Sequence, residues 1–278
     1  MRGEEFTQEL ARGKHWTEAL FVDHPEIYLP LLEARREAGR EEAQGIGQVL
    51  SKLNVAKGSK LLDLGCGIGR HAVPLAMQGF EVVGYDISQL YLDKARRYAD
   101  KMKVTDKIGF CRGDFRQVES TLRSRKYLGF QVIIDMLESQ GFYGEEGDIQ
   151  LFKQLRRISG DGCVLILQAL NRDFLVKNFY EHAVHEVTPR MVLHERLEFN
   201  YENSVLRNNW KFYSKGSAGV LKPVLEVTLE ARVYSLHELR RILTESGWEN
   251  LESYADIRKL DKPGPERSTM VMVARRMS

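Results

Sequence analysis

Five short apolar segments alternate with helix-like segments in the middle of the chain, and this order constrains the fold more than any other sequence feature. The apolar segments occupy residues 60–64, 81–85, 108–112, 130–136 and 162–170. Segments that are apolar at nearly every position are typical of strands buried on both faces. Strands that alternate with helices form a parallel sheet covered by helices on both sides. The sequence therefore predicts a doubly wound, mostly parallel α/β fold.

The segments on either side of this alternation differ in character. Residues 7–53 have the apolar spacing of helices. After the core, β-type segments alternate with turn-like residues between 185 and 234. These segments are predicted at 191–201, 205–213 and 224–234, with turns at 202–204 and 215–217. Short β-type segments joined by turns indicate an antiparallel insertion.

The last part of the chain returns to helix and strand. Ser235 and Glu238 have the spacing of a capping box, which opens a helix that Gly247 ends. Two strand-like segments follow, at 249–254 and 269–274. Four parts are predicted: an N-terminal helical cap at 1–50, the core at 51–180, the antiparallel β insertion at 181–234, and at 235–278 a helix with the last two strands of the core.

A glycine-rich loop follows the first apolar segment, in the sequence LLDLGCGIGR at residues 61–70. Glycines at a strand-to-helix turn let a ligand approach the backbone and the free N–H groups at the helix start. The spacing is G-x-G-x-G, whereas the dinucleotide fingerprint is G-x-G-x-x-G. Asp63 precedes the loop, where it would repel a pyrophosphate and suits a cation. S-adenosylmethionine, with an ammonium and a sulfonium, fits this loop better than NAD.

Two more acids follow the second and third apolar segments. Asp86 ends the second segment, where an acid binds ribose hydroxyls; NAD enzymes share this feature. Asp114 follows the third segment, where it would accept a hydrogen bond from an adenine amine while Ile87 or Phe115 packs on the ring. Asp114 taken singly is equally well an ordinary loop aspartate. The three acids in this order are much more specific for S-adenosylmethionine than any one of them.

These segments resemble a known family. Residues 61–70, 82–88 (VVGYDIS) and 111–115 (CRGDF) look like the first three motifs of class I S-adenosylmethionine-dependent methyltransferases. Residues 131–143 (QVIIDMLESQGFY) are similar to the fourth motif of a small-molecule-type subgroup, and the β insertion with residues 232–239 resembles the C-terminal half of that subgroup. The resemblance implies a Rossmann-like sheet of seven strands and S-adenosylmethionine as cofactor.

The resemblance also implies roles for individual residues. Asp63 would lie near the ammonium, Arg70 would meet the carboxylate, and Asp86 would bind the ribose. The remaining cofactor-binding residues are Gly65, Cys66, Gly67 and Gly69 at the methionine part, Asp114 at the adenine amine, Ile87 and Phe115 at the ring faces, and Asp135. Gln131 departs from the pattern, because many relatives have an acid there.

The methyl acceptor must reach the end of the fourth strand. Asp135 is the first candidate there, as a residue that orients the acceptor or removes its proton, with Glu138 and Tyr143 in the following loop. The plain alternative for Asp135 is a carboxylate that caps the next turn. Asp135 and Glu138 stand at positions where the subgroup often has an uncharged residue. Aromatic residues of the N-terminal cap are predicted either to cover the sulfonium or to anchor the cap to the core; these are Trp16, Phe21 and Tyr28.

Composition and charge limit the binding partners and the cellular compartment that we expect for this protein. The chain has 41 basic and 39 acidic residues, and this balance disfavours a nucleic-acid substrate, which usually requires a basic excess. The three cysteines have no CxxC spacing, so we predict reduced thiols and no metal site. The polar N-terminus does not resemble a signal peptide, and no apolar run is long enough to cross a membrane, so a cytoplasmic protein without a membrane partner is expected.

The predicted function is methyl transfer from S-adenosylmethionine to a nitrogen or oxygen atom of a small molecule by in-line displacement. The insertion would cover the active site or form a homodimer contact. Three alternatives remain at this stage: an RNA or protein methyltransferase, an NAD-dependent oxidoreductase, and a non-catalytic regulatory or partner protein that binds S-adenosylmethionine.

Overall fold

Two β-sheets organise the part of the chain that the structure, a computed structural model, describes: residues 14–136, 138–216 and 219–277. The strands are β1 (Lys60–Leu64), β2 (Glu81–Asp86), β3 (Ile108–Arg112), β4 (Phe130–Asp135), β5 (Ser159–Leu170), β6 (His182–Thr188), β7 (Met191–Asn200), β8 (Val205–Lys215), β9 (Leu221–Arg232), β10 (Trp248–Tyr254) and β11 (Thr269–Arg276). The larger sheet has the order β10-β11-β5-β4-β1-β2-β3, and the smaller has the order β6-β7-β8-β9.

Helices cover both faces of the larger sheet and extend toward the smaller one. They are α1 (Trp16–Glu18), α2 (Pro25–Ala34), α3 (Arg36–Lys52), α4 (Ala72–Met77), α5 (Gln89–Lys101), α6 (Val118–Ser124), α7 (Gly144–Ile158), α8 (Arg172–Lys177) and α9 (Leu236–Glu245). A π-helical turn, Ala19–Asp23, joins α1 to α2, and a short 3-10 turn, Phe115–Gln117, precedes α6. None of the described helices is both long enough and apolar enough to span a membrane.

The strand order creates a crevice at the carboxyl end of β1. This strand pairs in parallel with β2 on one side and with β4 on the other. The strand order therefore changes direction at β1, because β2 and β3 follow on one side of it and β4 and β5 on the other. In open α/β sheets, ligands bind outside the carboxyl ends of the strands at such a switch point. The glycine loop begins there, at Gly65.

The core is divided by the larger sheet into two buried layers. Successive residues of a strand point to opposite faces, so Leu61 packs with α3, α4 and α5 while Leu62 packs with α6, α7 and α9. Both leucines are fully buried. This two-sided burial is the reason why β1 is apolar at nearly every position rather than alternating.

The N-terminal segment joins the two sheets. Leu20 and Ile27 pack against Leu193, Phe212 and Leu225 of the smaller sheet. Its Leu32 packs in a separate small cluster with Ile68 of the glycine loop and Tyr91 of α5. Residues 14–34 therefore bridge the insertion and the cofactor loop.

The predicted fold is confirmed: a doubly wound, mostly parallel seven-stranded sheet, an antiparallel insertion, and helices in the N-terminal part. The capping box of Ser235 and Glu238 is present. Three details differ. The insertion has four strands rather than three, because β6 was too polar to be recognised: its residues are largely exposed at the edge of the sheet. The short helices α6 and α8 were not predicted. Ser88 precedes α5 as predicted but makes no side-chain capping hydrogen bond.

Some sequence predictions concern residues outside this description. Residues 7–13 of the predicted N-terminal helix and Ser217 of the predicted turn at 215–217 lie outside the described residues. Within 14–53 the chain is helical as predicted and is divided into separate helices, since Pro25 starts α2 and α3 begins at Arg36. The division of the chain into four parts stays a prediction.

Candidate active site

A cavity opens at the carboxyl ends of β1, β2 and β4; the space between the atoms, part of it open to solvent, amounts to about 690 Å³. From the core it is lined by Gly65, Gly67, Asp86, Ile87, Phe115 and Asp135. Six of the residues predicted for the cofactor thus meet around one space, and the other five lie behind this wall or beside it. Those five are Asp63, Cys66, Gly69, Arg70 and Asp114.

The glycine loop follows a path that requires glycine. Gly65, Gly67 and Gly69 all have positive φ angles, of 69°, 51° and 78°. A β-carbon on Gly65 would also approach the Phe115 ring to 3.1 Å, at the wall of the cavity. The N–H groups of Gly65 and Cys66 donate to the Tyr85 carbonyl over 2.8 and 3.1 Å, which holds the loop against β2.

Asp63 is a buried carboxylate beneath this loop. It is 1% exposed, and one of its oxygens has no hydrogen-bond partner among the described residues. Burial raises the pKa of Asp63 to about 8; nearby Arg70 opposes the shift, and the negative charges of Asp135 and Asp86 reinforce it. A carboxylate oxygen without a partner in an apolar layer is costly. A cationic group placed beside it would remove that cost.

Asp86 lies on the cavity wall and is tied to the glycine loop. Its carboxylate accepts hydrogen bonds from the N–H of Gly67 and the N–H of Ser88, each over 2.8 Å. Burial raises the pKa of Asp86 to about 6, while these backbone donors oppose the shift. Carboxylate oxygens have capacity for further donors, so Asp86 can hold the loop and still bind hydroxyl groups in the cavity.

Arg70 and Asp114 are both engaged by protein groups. The Arg70 guanidinium pairs with Glu42 of α3 and donates to the Met136 carbonyl over 2.6 Å. Glu42 also contacts the imidazole of His71 over 2.7 Å. Both terminal nitrogens of the Arg70 guanidinium are thus engaged by protein groups. The predicted contact of Arg70 with the cofactor carboxylate stays a prediction. Sequence reasoning missed Glu42, which lies in a charged run typical of an exposed helix face.

The Asp114 carboxylate binds Arg116. It accepts from the Arg116 backbone N–H over 2.8 Å and from the guanidinium over 3.0 and 2.6 Å. Burial raises the pKa of Asp114, but the hydrogen bonds from Arg116 outweigh burial and hold it below its usual value. Arg116 also reaches Glu18 of α1 over 2.7 Å. The predicted adenine contact of Asp114 stays a prediction, while the neighbouring Phe115 lines the cavity.

The acceptor candidates follow β4. Asp135 is buried in the cavity wall and accepts from Ser139 Oγ over 2.5 Å and from Gln140 Nε2 over 2.8 Å. Burial raises its pKa to about 7, and the two donors oppose the shift. Tyr143 also lines the cavity. Glu138 does not; it has a positive φ of 59° and accepts from Gln168 over 3.4 Å.

The N-terminal segment closes the cavity from above. Thr17, Phe21, Tyr28 and Leu32 line it on this side. Phe21 and Tyr28 line the cavity and also pack against the apolar cluster of the insertion. Their predicted place over the sulfonium stays a prediction. Trp16 lies farther out, where its ring meets that of Phe142 with 4.6 Å between centroids.

The loop that carries the acceptor candidates is held at Gly141. Its N–H donates to Asp148 over 2.7 Å, and its carbonyl accepts from the N–H of Arg232 over 3.0 Å. The Tyr234 hydroxyl donates to the same Asp148 oxygen over 2.6 Å. Burial raises the pKa of Asp148 to about 7. The end of the insertion therefore sets the position of the loop.

Replacing Gly141 by alanine is expected to lower the free energy of unfolding by about 2 kcal/mol more than replacing Gly144 by alanine. Both glycines have positive φ, which costs a non-glycine residue roughly 1–2 kcal/mol. A β-carbon on Gly141 would lie 1.9 Å from the Arg232 carbonyl oxygen, whereas one on Gly144 meets nothing within 4 Å. Urea unfolding of both variants measures the difference. Equal losses would contradict the close approach at Gly141.

Comparisons with known proteins agree with this site. A family model described as a methyltransferase domain matches residues 61–158. A Geobacillus sp. (strain WCH70) protein named as a methyltransferase is 24% identical over 200 residues, which cover 71% of this chain and 76% of that protein. The match to the family model spans β1 to α7, including the glycine loop and the acids that follow β1, β2 and β4.

Solved structures share the fold. An S-adenosylmethionine-dependent methyltransferase from Clostridium acetobutylicum ATCC 824 superposes with a TM-score of 0.73 at 16% identity, covering 92% of this chain and 98% of that one. CalS10 from Micromonospora echinaspora, an amino pentose methyltransferase solved with S-adenosylmethionine bound, has a TM-score of 0.56 at 17% identity, covering 96% and 93%.

The family match, the strand order and the glycine loop with its buried acids lead to one class. Residues 61–158 form a methyltransferase domain, its cofactor is S-adenosylmethionine, and the chain is a class I S-adenosylmethionine-dependent methyltransferase.

Proposed function

We propose that this enzyme transfers the methyl group to a nitrogen or oxygen atom of a small molecule. The observation that carries the proposal is the position of Asp135, a buried carboxylate in the wall of a cavity that Thr17 and Phe21 close from above. A cavity covered in this way suits a compact acceptor better than a polymer chain. CalS10, which has the same fold, acts on an amino pentose, and this supports the proposal.

The residues around the cavity fit the cofactor. S-adenosylmethionine supplies a methyl carbon that carries positive charge from the adjoining sulfonium. Asp63, Asp86 and Asp135 place three buried carboxylates on this side of the sheet, and the charges of Asp135 and Asp86 act on Asp63. Such a group of acids favours a ligand with two positive centres. Its ammonium would lie near Asp63, and its ribose hydroxyls near Asp86.

The remaining contacts follow the cavity wall. The backbone of Gly65, Gly67 and Gly69, with Cys66, would surround the methionine part, since side chains are absent where the loop approaches the space. Ile87 and Phe115 would hold the two faces of the adenine. Arg70 would act on the carboxylate from behind the wall, through its positive charge.

Asp135 would hold the acceptor in line with the methyl carbon. Orientation of two reactants in a closed site can contribute about 7–11 kcal/mol to catalysis. Ser139 and Gln140 each donate to this carboxylate, so its two oxygens are fixed in direction. An oxygen of Asp135 that faces the cavity would accept a hydrogen bond from a polar group of the acceptor next to the atom that becomes methylated, and would thereby orient that atom.

A screen with radiolabelled S-adenosylmethionine and a protein-free extract of cell metabolites tests this function. We expect label in small molecules, and about a hundredfold slower labelling by the Asp135→Asn variant, as for the loss of alignment between two reacting groups. Asp161→Asn is the matched control, because the Asp161 side chain is 97% exposed near the start of β5, at the end of the sheet opposite to the cavity. Label that enters only added RNA or protein would overturn the small-molecule assignment.

A further inference from the structure

A chain of three hydrogen-bonding side chains leads out of the cavity. The Tyr143 hydroxyl lies 3.1 Å from Thr17 Oγ1, and Thr17 Oγ1 lies 2.9 Å from Nδ1 of His15. Tyr143 and Thr17 line the cavity, while His15 and Tyr143 line a neighbouring, more polar groove. The three side chains therefore connect the space beside Asp135 with the groove along β9.

Local contacts fix the state of the His15 ring. The Thr17 backbone N–H also points to Nδ1, over 3.4 Å, so Nδ1 is the acceptor nitrogen and Nε2 carries the hydrogen. Burial and the charge of Arg116 lower the pKa of His15, while the Phe142 backbone and the charges of Asp114 and Glu18 oppose the shift. At neutral pH the ring is therefore uncharged and able to take up a proton at Nδ1.

Arg116 favours negative charge on Tyr143. Its guanidinium lies over the Tyr143 ring, 5.0 Å from the centroid. Burial raises the pKa of Tyr143, and the charges of Asp114 and Glu18 reinforce that shift, while the Thr17 hydrogen bond and the charge of Arg116 oppose it. The phenol therefore keeps its proton at rest and can pass it on only as another proton arrives.

Among the described residues, no comparable chain of hydrogen-bonding side chains leads from Asp135 to the groove. Its two hydrogen-bonding side-chain partners among the described residues, Ser139 and Gln140, are both donors and are themselves buried. These contacts do not connect Asp135 to the groove. The chain from Tyr143 to His15, in contrast, ends at a half-buried ring that borders the groove.

We propose that Tyr143, Thr17 and His15 form a proton relay that carries the acceptor's proton from the cavity to the groove; the proposal rests on the proposed function. As the acceptor attacks the methyl carbon, its N–H or O–H bond breaks and its electron pair stays on the acceptor atom. That proton goes to Tyr143 Oη, the Tyr143 proton goes to Thr17 Oγ1, and the Thr17 proton goes to His15 Nδ1. His15 becomes imidazolium, loses one ring proton to water at the groove, and returns to the neutral Nε2–H tautomer before the next turnover. Tyr143 touches the acceptor, and Thr17 and His15 act through it.

The first test needs no acceptor. Nitrogen-15 NMR of the full-length wild-type protein is expected to show His15 as the Nε2–H tautomer with a pKa below the usual histidine value. Thr17→Val should change the tautomer or pKa, and Thr17→Ser, which keeps the hydroxyl, should not. An Nδ1–H tautomer in the wild type, or a His15 signal that does not respond to Thr17→Val, would overturn the relay.

The second test separates the relay from a structural role. Label transfer from radiolabelled S-adenosylmethionine into the metabolite extract is followed over pH for the wild type, Thr17→Val, Thr17→Ser and His15→Gln. The relay predicts at least about a tenfold lower rate for Thr17→Val, as for a lost proton-transfer step, with cofactor affinity unchanged and the rate restored in Thr17→Ser. The wild-type rate should fall at low pH as His15 becomes protonated, and His15→Gln should lack this limb.

If the Thr17→Val variant keeps the rate and the pH profile of the wild type, the relay is contradicted. Absence of label in any small molecule with the wild type would instead contradict the proposed function, and the NMR result would then decide whether the chain of hydrogen bonds exists. The two failures are therefore distinguishable.

Discussion

Replacing Asp86 by alanine is expected to weaken the binding of S-adenosylmethionine by about 4 kcal/mol, roughly a thousandfold, since each lost hydrogen bond to a charged group costs about 1.5–3 kcal/mol. The variant removes the carboxylate proposed for the ribose and also the acceptor for the Gly67 N–H. Both losses are expected to weaken cofactor binding, because Gly67 lines the same cavity as Asp86. Isothermal titration calorimetry measures the affinity directly.

Two comparisons make this result specific. S-adenosylhomocysteine has the same ribose but a neutral sulfur, so its affinity should fall by the same factor. Asp93→Ala removes an exposed acid from α5, where Asp93 pairs with Arg96, and should leave the affinity unchanged. Thermal unfolding without cofactor shows whether the Asp86 variant is folded. A folded Asp86→Ala protein with wild-type affinity would remove the basis for the ribose assignment.

Cofactor affinity is expected to rise with pH and to be accompanied by proton release. Burial raises the pKa values of Asp63, Asp135 and Asp86 to about 8, about 7 and about 6, so these groups are partly protonated in the free protein near neutral pH. A bound cation favours the charged form and lowers the pKa of a carboxyl group beside it. Binding must then release protons, and the affinity must increase as the pH rises toward the pKa of the free protein.

The size of this effect follows from proton linkage. For one group with a pKa near 8 in the free protein, the affinity should increase roughly fiftyfold between about pH 6 and about pH 8 and then level off. Calorimetry in two buffers with different ionisation enthalpies counts the protons released. Asp63→Asn should remove the upper part of the dependence, because it removes the group with the highest pKa. A flat affinity over this range, or uptake of protons, would contradict a cationic ligand beside these acids.

The sequence was most informative where neighbouring residues determine the local structure. The glycine loop could be predicted because three positive φ angles in five residues demand glycine whatever surrounds them. The strands of the core could be predicted because burial on both faces makes them apolar throughout. Asp86 and Asp135 were predicted on the cavity wall because parallel strands end at the same edge of the sheet.

Contacts between distant parts of the chain could not be predicted in this way. Thr17 lies 126 positions before Tyr143, and no local pattern indicates that their hydroxyl groups meet. The role of Glu42 could not be predicted either, because a glutamate in a charged helix has the same sequence context whether it faces water or Arg70. The contacts of Arg70 also join distant segments, because its partners Glu42 and Met136 lie 28 and 66 positions away.

The fixation of Gly141 between Asp148 and Arg232 bears on attempts to change the acceptor by engineering. Arg232 is the last residue of β9, so an insertion transplanted from another enzyme would bring its own strand end and would shift the loop that carries Ser139 and Tyr143. A chimera that exchanges only the insertion should therefore lose alignment at the reaction centre even if it binds the new acceptor. Exchange of residues 139–148 together with the strand end and Tyr234 would transfer the complete unit.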